Sequence, residues 1–199
     1  MHAHADPHDP EPQQDQHVLL RGVTWADYLR LLDIRGEAPL PRMAYVEGTL
    51  HLMSPSRFHE RIATMLGRLL ELYALERDIP LYGFGSWTVR REDVLRGVEP
   101  DKCYLIGRAD DDRPDLAIEV VHTAGGSDKL PIYAALGVPE VWIWAHGDLC
   151  LHLLEDSAYV EAPRSRLLPD VDPVDLASLA GRPDQHEALK AWRERLRQG

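Results

Sequence analysis

Cysteine is nearly absent from this chain, because its 199 residues contain only Cys103 and Cys150. The two cysteines lie singly inside apolar stretches, far apart in sequence and in no CxxC pattern. This spacing argues against a disulfide-stapled scaffold and against a cysteine zinc site. It predicts buried free thiols in a reducing compartment, so we expect a cytoplasmic protein.

Long apolar segments are also missing. No run approaches the roughly 20 apolar residues that a membrane-spanning helix needs, and the polar, acidic N-terminus lacks the basic and apolar regions of a signal peptide. The hydrophobic fraction of 44% and the charged fraction of 28% are ordinary for a soluble globular protein. We therefore expect no membrane partner and one domain with its own core.

Positive charge is scarce, since 22 Lys and Arg stand against 33 Asp and Glu, for a net charge of −11. A protein that coats nucleic acid needs clustered Lys and Arg, so the composition disfavours that class. Residues 1–17 contain four acidic residues and no Lys or Arg, and removing these charges from −11 leaves −7 on the rest. A nuclease can tolerate this charge if a local basic face and a bound metal offset the carboxylates.

The N-terminal segment, residues 1–17, is poor in apolar side chains and rich in Pro, Gln, His and Asp. Such a composition predicts a disordered tail, followed by a single domain over residues 18–199. We expect deletion of the tail to leave the fold and any activity intact. Its four histidines could chelate a transition metal weakly, although a solvated tail is the expected state: His2, His4, His8 and His17.

Helical and strand patterns alternate through the rest of the chain. Helical periodicity occupies a short segment after Thr24 and residues 58–73, about 127–136 and 184–198. Strand patterns occupy residues 43–46, 50–53, two segments within 81–106, 116–121, 141–144, 149–154 and 158–161. This order predicts an α/β fold with one central mixed β-sheet flanked by helices. An N-terminal helix and hairpin and a C-terminal hairpin and helix are added to that core.

Glu119 stands in the middle of the apolar run LAIEVV, residues 116–121. A carboxylate in such a strand loses its hydration unless a partner compensates its charge. Strand alternation places it on one face with Asp115, Ala117 and Val121. Two interpretations remain open: a buried glutamate satisfied by an arginine or by backbone N–H groups, or a functional carboxylate.

Asp101 follows a proline and precedes the apolar segment CYLI. A Pro-Asp pair commonly starts a turn, but here the chain continues as a strand, which weakens that interpretation. Carboxylates on two adjacent central strands can meet at one edge of a sheet and chelate Mg²⁺, a hard cation that prefers oxygen ligands. Asp101 and Glu119 are therefore the candidate metal ligands.

Lys129 lies in the first turn of the helix predicted over about 127–136. That helix leaves the strand of Glu119 through a glycine loop, Gly125-Gly126, so a long side chain at its start can reach back to the carboxylates. The alternative is a solvated surface lysine, and the position taken by itself would favour it.

The segments GVEPDKCYLIG and RPDLAIEVVHTAGGSDKLPIYAALGVPEVWIW closely resemble the Uma-two family of putative restriction endonucleases, within the PD-(D/E)XK nuclease superfamily. The upstream segment YVEGTLHLMSPSRFHERI is similar to the same family, so the resemblance extends from about Thr24 to Leu179. It implies a restriction-endonuclease-like core.

Carried over by position, the resemblance implies that Asp101 and Glu119 hold the metal and that Lys129 assists catalysis. In the usual superfamily order a lysine follows the glutamate by two residues, where this chain has Val121. The family instead carries the lysine on the following helix, which corresponds to Lys129.

Three further positions accompany this set. Glu47 and His59 match recurrent family positions near the site, without an assigned role. Asp115 belongs to a second Pro-Asp pair, only four residues before Glu119 on the same strand. We interpret Asp115 as an acid that starts the strand or supports the site.

The function that the resemblance implies is a Mg²⁺-dependent endonuclease, with Mn²⁺ as an alternative metal, that hydrolyses phosphodiester bonds in nucleic acid. DNA is the expected partner in preference to RNA, and a homodimer is compatible with this function. The candidate phosphate contacts are Arg57, Arg61, Arg90, Arg91 and Arg96.

Two other functions fit the same carboxylates. A catalytically silent protein of the same fold would act through protein partners, which the acidic composition and the missing in-strand lysine favour. A metal-dependent hydrolase of a small phosphorylated molecule would share the carboxylates but lack a basic groove. Fold alone does not separate these functions.

Overall fold

The computed structural model describes residues 14–85, 87–121 and 129–198. Its strands are β1 (Gln16–Arg21), β2 (Arg42–Val46), β3 (Thr49–Ser54), β4 (Leu81–Phe84), β5 (Val89–Arg91), β6 (Arg96–Val98), β7 (Lys102–Ile106), β8 (Leu116–Val121), β9 (Glu140–Ala145), β10 (Asp148–Glu155) and β11 (Ala158–Ala162). Its helices are α1 (Trp25–Arg35), α2 (Arg57–Glu76), α3 (Leu130–Leu136), α4 (Pro173–Ala180) and α5 (Gln185–Gln198). None of the helices in these ranges is long and apolar enough to cross a membrane.

The strands form two sheets. A six-stranded sheet has the order β11-β10-β9-β8-β7-β4, in which β8 and β9 are parallel and the other pairs antiparallel. The parallel pair arises because the connection from β8 to β9 crosses over through α3. A five-stranded antiparallel sheet has the order β1-β3-β2-β6-β5. The predicted α/β class and both added hairpin-and-helix units are confirmed.

The six-stranded sheet is the predicted central mixed sheet, but the prediction of two strands in residues 81–106 is wrong. This segment contains four strands, not two, and they are divided between the sheets. β5 and β6 have three residues each, which is too short for a period to appear in the sequence. The chain leaves one sheet for the other at Glu99-Pro100, where the proline has no N–H group for a ladder.

Helices cover one face of the six-stranded sheet. The hydroxyl of Ser56 caps α2 by accepting the backbone N–H of His59 at 3.2 Å. The apolar face of α2 packs on β8 and against α4 and α5. The β8 residues in this core cluster are Leu116, Ile118 and Val120.

The opposite face of β8 carries Ala117 and Glu119. Ala117 is buried with Tyr133 of α3 and with Val98 of the five-stranded sheet. The alternation inferred from LAIEVV is therefore confirmed. Because of it, Glu119 points toward α3 and the five-stranded sheet, away from the apolar layer under α2.

The predicted tail differs from the structure at its C-terminal end. β1 begins at Gln16 and pairs with β3 along its whole length, so disorder is the wrong prediction for Gln16 and His17. Most side chains of β1 are exposed, and its order comes from backbone hydrogen bonds that composition does not reveal. The tail histidines His2, His4 and His8 lie outside the described residues.

Gly97 of β6 has no room for a side chain. A Cβ atom there would lie 2.3 Å from the hydroxyl oxygen of Tyr28, and Tyr28 is fully buried and stacked on Tyr45 with ring centroids 5.0 Å apart. We expect Gly97→Ala to lower the free energy of unfolding in urea by roughly 1–3 kcal/mol through overpacking. Gly85→Ala is the control, since a Cβ there meets nothing within 4 Å. Equal losses in the two variants would contradict the clash.

Candidate active site

The three residues predicted to form the site meet at one end of the β7–β8 pair. The antiparallel pairing of β7 and β8 brings Asp101, immediately before β7, alongside Glu119 and Val120. Asp101 Oδ2 accepts the backbone N–H of Val120 at 2.7 Å, and Lys129 Nζ lies 2.7 Å from Glu119 Oε2. The predicted convergence of Asp101, Glu119 and Lys129 is confirmed.

Asp101 is a fully buried anion. Arg42 Nη1 lies 2.5 Å from its Oδ1, and His59 Nε2 lies 2.8 Å from its Oδ2. Burial by itself raises the pKa of this carboxyl, but the hydrogen bond from His59 and the charges of His59, Arg42 and Lys129 together hold the pKa well below its usual range. Asp101 is therefore ionised at neutral pH.

Glu119 is also buried, with 4% of its surface exposed. Its Oε1 accepts the hydroxyl of Tyr133, and its Oε2 accepts Lys129. Burial raises the pKa of this carboxyl, the charge of Asp101 adds to the rise, and Lys129 and Tyr133 only partly oppose it. A raised pKa is what the apolar run predicts. The ion pair required by the alternative interpretation is present too, with a lysine as the partner.

Lys129 is not a solvated surface lysine, because only 15% of its side chain is exposed. It stands at the N-cap position before α3, one residue outside the helix in which the sequence placed it. Burial lowers the pKa of its ammonium group, but the charges of Glu119 and Asp101 outweigh burial and raise it. Lys129 therefore stays charged. The predicted Gly125-Gly126 loop lies outside the described residues.

His59 is held between two carboxylates. Its Nε2 contacts Asp101, its Nδ1 lies 2.9 Å from Asp15 Oδ2, and the residue is 1% exposed. Ionised carboxylates only accept hydrogen bonds, so both ring nitrogens donate and the ring is an imidazolium. Burial lowers the pKa of His59, but the hydrogen bonds and charges of Asp101 and Asp15 outweigh it and raise the pKa. His59 thus connects Asp101 to the N-terminal segment.

Asp15 belongs to the segment predicted to be a dispensable tail. Its Oδ1 accepts the backbone N–H of Ser56 at 2.8 Å, and its side chain is 4% exposed. Burial raises the pKa of this carboxyl, but the hydrogen bonds from Ser56 and His59 and the charge of His59 lower it overall. These contacts argue against the expectation that residues up to 17 can be removed without consequence.

Deletion of residues 1–13 and deletion of residues 1–17 should therefore differ in stability. The longer deletion removes Asp15 and leaves the buried His59 cation with one carboxylate, which should cost roughly 1–3 kcal/mol more in the free energy of unfolding. Urea unfolding of the two truncated proteins measures the difference. The control is Asp15→Asn in the full chain. It removes the charge of Asp15 but keeps the pairing of β1 with β3, so it separates the lost ion pair from the lost strand pairing.

The pH dependence of that difference has a defined sign. His59, with a raised pKa, contributes stability that is complete below its unfolded value of 6.5 and is lost as pH rises through the folded pKa. Asp15, with a lowered pKa, contributes stability that is complete above 3.8 and is lost as pH falls through the folded pKa. The difference in free energy of unfolding between the two truncated proteins should therefore be largest between pH 3.8 and pH 6.5. A difference that grows at alkaline pH would refute the ion pair of His59 with Asp15.

Arg42, the first residue of β2, is a site residue that sequence analysis missed. In addition to its contact with Asp101, its Nη2 lies 2.8 Å from Glu60 Oε1, and 13% of its side chain is exposed. Burial lowers the pKa of this guanidinium, but the charges of Asp101 and Glu60 outweigh it and raise the pKa. The available signal is an arginine directly before the apolar residues of a strand, where a charge needs a partner.

Two further predicted positions have their partners elsewhere. Glu47, in the turn between β2 and β3, has a side chain that is 71% exposed and pairs with Arg96 at 2.8 Å. Asp115, directly before β8, accepts the backbone N–H of Ile106 at 2.8 Å and both terminal nitrogens of Arg108. Asp115 is thus an acid at the start of the strand. The described contacts bring neither residue to Asp101 or Lys129.

The arginines suggested as phosphate contacts are partly compensated within the chain. Arg91 pairs with Asp93, and Arg96 pairs with Glu47. Neighbouring carboxylates therefore offset part of the positive charge that these arginines would offer to a phosphate. The cations that directly contact Asp101 and Glu119 in the described part of the chain are instead Arg42, His59 and Lys129.

The donor types of this site suit Mg²⁺. Asp101 and Glu119 offer hard carboxylate oxygens, and Mg²⁺ is commonly held by one or two carboxylates while waters and substrate phosphates complete the shell. Within the described ranges, no group of three or more His, Cys, Asp or Glu residues forms a larger cage. Each of the four carboxylate oxygens accepts a hydrogen bond. A metal would therefore fit by exchange with Arg42 or Lys129.

Comparison with known proteins yields one family. The model of the Uma2 (Uma-two) family, described as a putative restriction endonuclease, matches residues 25–181. The α/β architecture is consistent with a restriction-endonuclease-like fold. The matched range contains Asp101, Glu119 and Lys129, whereas Asp15 and β1 precede it. No curated protein matches the chain.

Proposed function

This chain belongs to the Uma2 family, and we propose that it is a metal-dependent endonuclease that hydrolyses phosphodiester bonds in nucleic acid, with DNA as the preferred substrate. The observation that supports this function best is the convergence of two buried carboxylates and one charged lysine. Mg²⁺ is the proposed metal, and Mn²⁺ is the alternative.

The carboxylates Asp101 and Glu119 would hold the metal, which when bound polarises a phosphoryl oxygen and lowers the pKa of a coordinated water. Lys129 is proposed to stabilise the negative charge that develops on the phosphate oxygens, because its ammonium group stays charged beside Glu119. The backbone N–H of Val120 and the hydroxyl of Tyr133 fix the directions of the two carboxylates. Such preorganisation limits the reorganisation that the reaction requires.

The charge of the protein sets the expected mode of substrate binding. With a net charge of −11, and with Arg91 and Arg96 paired to carboxylates of the same chain, we expect side chains to neutralise few phosphates. Binding of nucleic acid should therefore be weak, strongly dependent on salt, and strengthened by a divalent metal.

The test is incubation of the protein with labelled DNA and labelled RNA in Mg²⁺, in Mn²⁺ and in chelator. We expect cleavage that requires metal and favours DNA. The variant Glu119→Gln, purified in parallel, controls for a contaminating nuclease. Preference for RNA would overturn the proposed substrate, and absence of cleavage in all conditions would overturn the activity.

One observation favours a second function, that of a catalytically silent protein acting through protein partners. Every oxygen of Asp101 and Glu119 already has a donor, which is the arrangement of a structural charge network. Calorimetric titration with Mn²⁺ separates the two functions. Metal binding at micromolar to millimolar concentration supports the nuclease, whereas no binding supports the silent protein.

A further inference from the structure

Arg42 occupies the side of Asp101 that a metal ion would need. Oδ2 of Asp101 holds the backbone N–H of Val120 and the ring of His59, and both donors are parts of packed elements. Oδ1 has Arg42 Nη1 as its partner at 2.5 Å. Oδ1 is therefore the oxygen whose partner can leave while the carboxylate stays fixed.

Like charges crowd the guanidinium of Arg42. Its Nη1 lies 3.5 Å from Nε2 of His59, and that nitrogen already donates to Asp101, so this contact brings two cations together. Lys129, whose Nζ lies 2.7 Å from Glu119 Oε2, is the third cation of this site. A divalent ion added to three cations would meet strong repulsion in a buried site. Metal binding at Asp101 thus requires one cation to withdraw.

Arg42 has a second carboxylate partner and an adjoining cavity. Its Nη2 is held by Glu60, whose side chain is 45% exposed, so the guanidinium keeps a counter-ion near solvent after it leaves Asp101. Arg42 also lines a polar cavity of about 190 Å³ together with Arg35, Thr88 and Glu99, which gives the side chain space to move.

We propose that Arg42 is the resident counter-cation of Asp101 and that it competes with the divalent metal for this carboxylate, so that metal loading requires its displacement. The inference rests on the proposed function and adds a regulatory step to the same site. Without metal, Arg42 neutralises Asp101 and occupies the position at Oδ1 that the metal would take. With metal, the guanidinium remains on Glu60 or turns into the adjoining cavity.

The experiment compares Mn²⁺ binding by the full-length protein and by Arg42→Met, measured by titration calorimetry and by the rise in melting temperature on addition of Mn²⁺. Because the variant has no cation to displace, we expect its dissociation constant to be at least about tenfold lower and its temperature rise to be larger. Both measurements are independent of cleavage.

Arg35→Met is the matched control. Arg35 and Arg42 have equal side-chain exposure, 13%, and each pairs with a buried carboxylate, Glu99 in the case of Arg35. The control therefore loses a comparable ion pair while every donor to Asp101 stays in place, and its affinity for Mn²⁺ should stay close to that of the parent. If Arg42→Met does not fold, Arg42→Lys replaces it. We expect its affinity for Mn²⁺ to lie between that of the parent and that of a protein without a charge at position 42.

The outcomes separate the two proposals. Tighter binding by Arg42→Met but not by Arg35→Met supports the competition. If the parent binds Mn²⁺ and cleaves DNA while Arg42→Met binds equally or more weakly, the competition is overturned and the nuclease stands. If only Arg42→Met binds Mn²⁺, the competition is supported and the nuclease activity of the parent is overturned. If neither binds, both proposals fall.

Discussion

Glu119→Gln is expected to reduce metal-dependent cleavage by roughly a thousandfold or more. The substitution removes the charge of a proposed metal ligand, and metal stabilisation of the transition state is worth several kcal/mol, at 1.36 kcal/mol for each tenfold in rate. It also deprives Lys129 of the carboxylate that lies 2.7 Å from its ammonium nitrogen. The measurement is single-turnover cleavage of labelled DNA in Mn²⁺.

Asp115→Asn is the control for this prediction. Asp115 is a second buried carboxylate of the same strand region, but its partners are Arg108 and Ile106. We expect Asp115→Asn to lose stability and to retain cleavage within a few-fold of the parent. Equal losses of cleavage in the two variants would show that damage to β8, and not the loss of a ligand, explains the effect.

Lys129→Met should have the second large effect, a loss of about 3–5 kcal/mol in the free energy of unfolding at neutral pH, since it leaves a buried carboxylate without its cation. Such a loss is a substantial part of the 5–15 kcal/mol that holds a typical domain together. Urea unfolding measures it. The double variant Lys129→Met/Glu119→Gln should be more stable than Lys129→Met, because it leaves no unpaired charge on Glu119.

The pH dependence of Lys129→Met follows from the same charge. The pKa of Glu119 is already raised above 4.5 by burial and by Asp101, and removal of the lysine raises it further. The folded variant therefore takes up the proton more readily than the unfolded chain, so its deficit in stability should shrink as pH falls from neutral toward that pKa. A deficit that is constant with pH, or a less stable double variant, would refute the proposed ion pair.

The elements that the sequence predicted correctly are long or strongly periodic. The apolar stripe of α2 and the alternation of LAIEVV in β8 are properties of adjacent residues, because a helix or strand repeats its buried face along one segment. The three-residue strands β5 and β6 contain no such repeat. Their assignment to a second sheet depends on pairing with β2, which is distant in the chain.

The candidate site shows the same division. The sequence indicated Asp101, Glu119 and Lys129 because each is a charged residue next to an apolar strand or at a helix start, and the resemblance to Uma-two placed them in one site. Their chemical roles remain proposals. Arg42, in contrast, contacts Asp101 across 59 positions of sequence, and Tyr133 contacts Glu119 from the buried face of α3, where a tyrosine fits an ordinary core position.

The sequence by itself determined the α/β class, the alternation that buries Glu119, and the three charged residues that meet at the end of β7 and β8. Only the tertiary structure decided which cations neutralise those carboxylates, and that the N-terminal segment contributes Asp15 through His59. The physical reason is that periodicity is a local property of the chain, whereas the partner of a buried charge is chosen by whichever groups the packing of separate elements brings within hydrogen-bond distance.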